Sequence, residues 1–152
     1  MMAFREKTAV FTIAFMFTAV LAFSQKAGNS TEPMYIVFPA DSSDLKRITG
    51  ELAIRNSQVF IKIAQILLDN PQYRILIDGH ANPVEKTNTE EADSLRPLSL
   101  RRAEIAADFL VMYYGVDRRR LIISGAGGLY PFGDTNDPSL NRRVGFFIVT
   151  PR

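Results

Sequence analysis

The sequence predicts a two-layer α/β (α+β) sandwich, with helices covering one face of a sheet. Three observations predict it. Four short runs rich in β-branched and aromatic residues, Tyr35–Phe38, Tyr73–Asp78, Leu121–Ser124 and Val144–Val149, have strand length and strand composition. Two longer stretches repeat apolar residues at steps of three and four, the period of an amphipathic helix. The resulting order is strand, helix, strand, helix, strand, strand, without an internal repeat or a heptad run, and that order suits two packed layers.

The chain begins with an export pattern. Arg5 and Lys7 supply a short basic region, diluted by Glu6, and residues 8–23 carry no charge. Ala22 and Ser24 then place small residues where a signal peptidase reads, just before Gln25. The apolar run is shorter than the roughly 20 residues a spanning helix needs. The expectation is a cleaved signal at 1–24 rather than a retained anchor. Residues 25–34 read as a linker, polar from Lys26 to Pro33, and 35–152 as the folded domain.

Within the domain, Pro39 stops the first strand, and residues 41–47 can form a short helical turn. A helix from about Gly50 to Asp69 follows. Leu52, Val59, Phe60, Ile63, Ile66 and Leu67 share one side with a single polar exception, Asn56. Asn70-Pro71 ends it. After the second strand, residues 81–97 show no periodicity and read as a long loop, of the kind that is usually functional or mobile. Pro97 disfavours helix at Arg96. The second helix is therefore expected from Ser99, whose hydroxyl can cap the first turn. Ala103, Ala106, Ala107, Leu110 and Tyr114 form its apolar face, and Gly115 stops it. Gly125, Gly127 and Gly128 make a turn after the third strand, and residues 131–140 form a polar loop before the last.

Composition removes several chemistries. The chain has 152 residues, 47% hydrophobic and 22% charged, which fits one globular domain. It has no cysteine, so disulfides, thiolates and acylated-cysteine anchors are excluded, and its one histidine excludes a multi-His metal site. A net charge of +2, from 18 basic and 16 acidic residues, gives no argument for nucleic acid. No metal and no cofactor are expected.

His80 lies two residues after Asp78, as a base lies beside its orienting carboxylate, but that spacing on a strand is not ideal for a bond. A histidine satisfied at a strand end is the preferred reading. The Gly125-Ala126-Gly127-Gly128 run lacks the third glycine and the following helix of a dinucleotide loop, which leaves a plain turn. Glu85, Glu90, Glu91 and Asp93 lack the order of a calcium loop and read as a solvated loop. Arginines form three clusters, at 101–102, 118–120 and 142–143. The middle one reads as solvated surface. Arg102 in a first helical turn suits an anion, because a guanidinium fork matches a carboxylate and free N–H groups lie nearby.

Four motifs in order then resemble a known family. Gly79-His80-Ala81-Asn82 ends a strand, Leu98-Ser99-Leu100-Arg101-Arg102-Ala103 opens a helix, Gly125-Ala126-Gly127 forms a turn, and Asn141-Arg142-Arg143-Val144 enters the last strand. In that order they resemble the OmpA-like (OmpA/MotB/Pal C-terminal) domain, over roughly Tyr35 to Val149. The resemblance implies a βαβαββ fold with a mixed four-stranded sheet. It also implies a non-enzymatic, periplasmic domain that binds peptidoglycan non-covalently. Arg102 would hold the carboxylate of the stem-peptide diamino acid, supported by Asn141 and Arg142. Asn82 stands where the family has an aspartate for the ammonium, and Leu95 where it usually has an asparagine. A neutral partner for the ammonium would weaken binding on the order of tenfold. Asp93 or Glu91 is a candidate replacement for that charge. The alternative is an envelope structural or interaction protein that keeps the fold without wall binding. Outer-membrane or envelope proteins are the further partners expected, and any tether to the outer membrane would come from one of them.

Overall fold

The computed structural model describes residues 34–82, 89–130, 132 and 137–151. The expected signal, and the expected linker up to residue 33, lie outside them. Met34, assigned to that linker, instead opens the first strand, β1 (Met34–Val37). Then come α1 (Gly50–Asp69), β2 (Arg74–Gly79), α2 (Thr89–Ser94), α3 (Arg96–Tyr114), β3 (Leu121–Gly125) and β4 (Arg143–Val149). The strands form one sheet in the order β1-β4-β2-β3. β2 and β3 are parallel, and β4 runs antiparallel to both β1 and β2. The fold class is thus as expected: a mixed four-stranded sheet with α1 and α3 on one face.

Alternation along the strands decides which face is buried. Ile36, Ile75, Ile77, Val144 and Phe146 point into one core with Phe60, Ile63 and Leu67 of α1 and Ala106, Ala107 and Leu110 of α3. The alanines of α3 let that helix lie close to the sheet. Gly115 ends α3 in the left-handed region at φ 65°, returning its N–H to the carbonyls of the last turn.

The polar exception in α1 has a specific task. β1 is an edge strand, so Val37 has backbone groups that no neighbouring strand satisfies. Asn56 is buried there, donating Nδ2 to Val37 O at 2.9 Å and accepting from Val37 N at 3.2 Å. Asn56→Ala strands both backbone groups. It is expected to cost about 2–3 kcal/mol, read as a lower urea midpoint with an unchanged slope.

Two expectations fail around α3. The 81–97 stretch is not wholly loop, since α2 occupies Thr89–Ser94 and α3 starts at Arg96. Pro97 sits in the first turn, where its missing N–H has no intrahelical partner to lose. Arg96 is held in place by Nη1 to Gly125 O at 3.0 Å and by Asp93 at 3.0 Å. Ser99 is therefore inside the helix rather than its cap. Its hydroxyl donates to Arg96 O and accepts from Gly127 N at 2.9 Å, which ties α3 to the turn after β3.

Candidate ligand-binding site

The site is assembled where α3 crosses the C-terminal ends of β2 and β3. Glycines allow the crossing. A Cβ at Gly79 would lie 1.9 Å from Ser99 O, and one at Gly125 would lie 2.7–2.9 Å from the backbone and Cβ of Leu100. With no side chain at Gly79 or Gly125, the first turns of α3 rest directly on these strand ends. That places Arg102 between the exits of β1 and β2.

Arg102 is 1% exposed. Its guanidinium donates Nε to Ser42 O (2.9 Å), Nη1 to His80 O (3.0 Å) and Nη2 to Pro39 O (3.1 Å). One side chain thus joins three backbone segments, and it also lies 5.6 Å from the Phe38 ring centroid. Arg142 reaches the same segment, with Nε 3.4 Å from Phe38 O. Burial first, and the Arg142 charge second, lower the Arg102 pKa to about 10, while Asp41 opposes the shift. Two cations therefore share this corner. Asp41 faces them from the β1 exit, at φ 48°.

The predicted residues separate into two groups. Arg102 and Arg142 come together, and Asn82 is exposed two residues beyond the His80 carbonyl that Arg102 binds. Asn141 closes its own loop, accepting from Phe132 N at 2.8 Å. Of the acids considered as replacements for the lost charge, Asp93 pairs with Arg96, and Glu91 lies on α2 with its carbonyl accepting from Ser94. Leu95 is half-buried at the α2–α3 junction, its carbonyl accepting from Ser99 N. In the 118–120 cluster, Arg120 is not simply solvated: it donates to Tyr73 O (2.9 Å) and Asn70 O (2.6 Å) and anchors the start of β3.

A second polar cluster was only partly legible. His80 and Asp78 do meet, Nε2 to Oδ2 at 3.2 Å, because His80 lies just past the strand end and is free of the pleat. Burial pushes the Asp78 carboxyl up. Its bonds with His80 and Ser124 and the charges of His80 and Arg143 outweigh that and hold it below the usual range. Arg143 lies over the Phe132 ring at 4.9 Å. The alternation of Asp78, His80 and Ser124 with apolar neighbours was the available signal. The role of Arg143 had none, since its partners come from β2 and the 130–132 segment.

No described group of His, Cys, Asp or Glu could hold a metal ion. A cleft of about 490 Å³ between α1, α3 and the 43–48 segment contains none of the predicted site residues.

Comparison with known proteins agrees with this architecture. The OmpA family matches residues 37–144. Among solved structures, the peptidoglycan-associated lipoprotein from Burkholderia pseudomallei superposes with a TM-score of 0.60 at 21% identity, over 76% of this chain and 90% of that one. The OmpA-like domain of FopA1 from Francisella tularensis gives 0.57 at 20% identity, over 77% and 71%. The C-terminal domain of Helicobacter pylori MotB gives 0.55 at 23% identity, over 80% and 87%. These likenesses concern the fold. No curated protein matches the chain.

Proposed function

Because this chain belongs to the OmpA family, whose domains bind peptidoglycan and are not enzymes, we propose that it binds peptidoglycan in the periplasm through the Arg102–Arg142 corner. The observation that carries this reading is the pairing of two guanidinium groups at the exits of β1 and β2. Three of the five N–H groups on Arg102 are engaged with carbonyls, so a ligand carboxylate would meet Arg142 first and reach Arg102 only by extending these bonds. A stem-peptide carboxylate would also relieve the repulsion between the two cations. The ammonium end of the diamino acid would then lie toward Asn82, and export would rest on residues 1–24.

Retention of the full-length chain on purified sacculi tests the proposal. No retention, with a working positive control, sinks it. Arg142→Ala is expected to weaken retention roughly tenfold, the scale of one charge-assisted bond. Asn82→Asp is expected to strengthen it by a similar factor, because it restores a charge opposite the ammonium. An unchanged Asn82→Asp affinity would remove Asn82 from the site.

One observation favours the second reading, an envelope interaction protein without a wall ligand. Arg102 is almost wholly shielded from solvent and its charge is already used within the fold. A crosslinked envelope protein recovered without any sacculus retention would decide for that reading.

A further inference from the structure

Three buried side-chain polar atoms among the described residues have no hydrogen-bond partner, and all three fall in one cluster: Asp78 Oδ1, His80 Nδ1 and Arg143 Nη1. Buried polar atoms are normally paired, so orphans gathered in one place mark room for a partner from outside the chain. The cluster lies on the sheet face turned away from α1 and α3. Strand alternation puts Tyr35, Asp78 and Gly145 there, because their neighbours Ile36, Ile77 and Phe146 point into the core. Gly145 is the floor of a slot. It pairs with Tyr35 of β1 on one side and with Asp78 of β2 on the other. Tyr35 and Asp78 are thus two strand spacings apart, roughly 10 Å, with no side chain between them. Arg143 and Phe147 stand two residues before and after Gly145 and close the remaining sides. Arg143 is held over the Phe132 ring and by Tyr130 O. Phe147 is half exposed, and its ring leans over the floor, 3.0 Å from where a Gly145 Cβ would lie. Leu76 and Ile122 continue an apolar row from Phe147 across β2 and β3.

We propose that this slot takes the acetamido group of an N-acetylated amino sugar, with the sugar ring against Phe147. The Asp78 carboxylate only accepts, and the Arg143 guanidinium only donates. The two attract one another, yet among the described residues no ion pair joins them. A group that fits between them donates to one side and accepts from the other. A secondary amide does so, since its N–H and C=O point in opposite directions. A simple cation or anion satisfies only one of the two opposed charges. The acetamido methyl finds the Phe147–Leu76 row, and the exposed aromatic ring offers a flat apolar platform to the sugar. The natural source of the sugar rests on the wall-binding reading, because the glycan of peptidoglycan is built from N-acetylated amino sugars. His80 joins the two sites, its carbonyl accepting from Arg102 and its ring bonding Asp78. Stem peptide and glycan are then read from the two sides of one residue.

Titration of the nitrogen-15-labelled full-length chain with tri-N-acetylchitotriose tests this, read from the amide resonances of Gly145, Phe147 and Ser124. Saturable shifts are expected with that trimer and none with cellotriose, which lacks the acetamido groups. Gly145→Ala puts a methyl on the floor and is expected to weaken binding at least roughly tenfold, and Asp78→Asn about tenfold, the scale of one charge-assisted bond. Resonances remote from the slot are expected to stay in place in both variants. Arg142→Ala is expected to leave trimer binding unchanged. Three results overturn the inference: no shift up to the solubility limit of the trimer, an equal response to cellotriose, or trimer binding that Gly145→Ala leaves intact. A response to N-acetylalanine methylamide without one to the trimer also overturns it, assigning the slot to a peptide bond. Sacculus retention without trimer shifts overturns this inference alone. Trimer shifts without sacculus retention sink the wall-binding reading and leave the sugar site standing.

Discussion

Arg102→Met is expected to destabilise the fold by about 3–5 kcal/mol, the scale for stranding three partly buried carbonyls at once. Methionine approximates the apolar stem of arginine, so packing changes little. What disappears is the guanidinium that bonds Ser42, His80 and Pro39. Each stranded carbonyl forfeits about 1–3 kcal/mol unless water reaches it, and solvent access at the exits of β1 and β2 keeps the sum toward the lower end. Arg102→Lys is expected to recover only part of the loss, since one ammonium cannot present the planar fork that spans three acceptors. Arg101→Ala is the control. Arg101 is exposed and pairs with Glu104 at 3.3 Å, so a change within about 0.5 kcal/mol is expected. Urea unfolding of the four proteins measures this. An Arg102→Met midpoint equal to that of Arg101→Ala would show that the carbonyl bonds do not hold the corner together. Any loss of ligand by an Arg102 variant must be read beside its stability, which makes Arg142 the cleaner probe of binding.

Gly79→Ala is expected to cost about 3 kcal/mol, at the upper end of the usual cost of overpacking. The added methyl meets Ser99 O at 1.9 Å and Ser99 C at 2.7 Å, both backbone atoms of α3. Relief requires the helix to lift from β2, and the helix carries Arg102. Gly145→Ala offers a contrast on β4. There the nearest atoms belong to the Phe147 ring, at 3.0 and 3.2 Å, and that ring is half exposed and able to rotate away. A cost within about 1 kcal/mol is expected at Gly145. Thermal melts compare the two. Equal shifts would mean that α3 does not rest on Gly79 as closely as described. If the sacculus assay is positive, Gly79→Ala is also expected to reduce retention, because the displaced helix carries its arginine with it.

What was legible in the sequence was what local periodicity controls. The bounds of α1, the Gly115 stop and the four strands follow from side-chain alternation, helical steps and terminator residues, which act over a few neighbours. The motif order also placed Arg102 at a charged corner. The start of α3 is not legible, because the preference of a residue before proline is local, whereas the Gly125 carbonyl that holds Arg96 lies 29 residues away.

The sequence by itself determined the order of the four strands and the two long helices, their buried faces and the family signature, because each is written in spacings of a few residues. Only the tertiary structure decided how Arg102 is used. Its acceptors on Ser42 and Pro39 lie 60 and 63 residues away and are backbone oxygens, common to every residue type. No side-chain pattern can announce a bond to an atom that all residues share. Folding has to bring the strand exits under α3 before that bond exists.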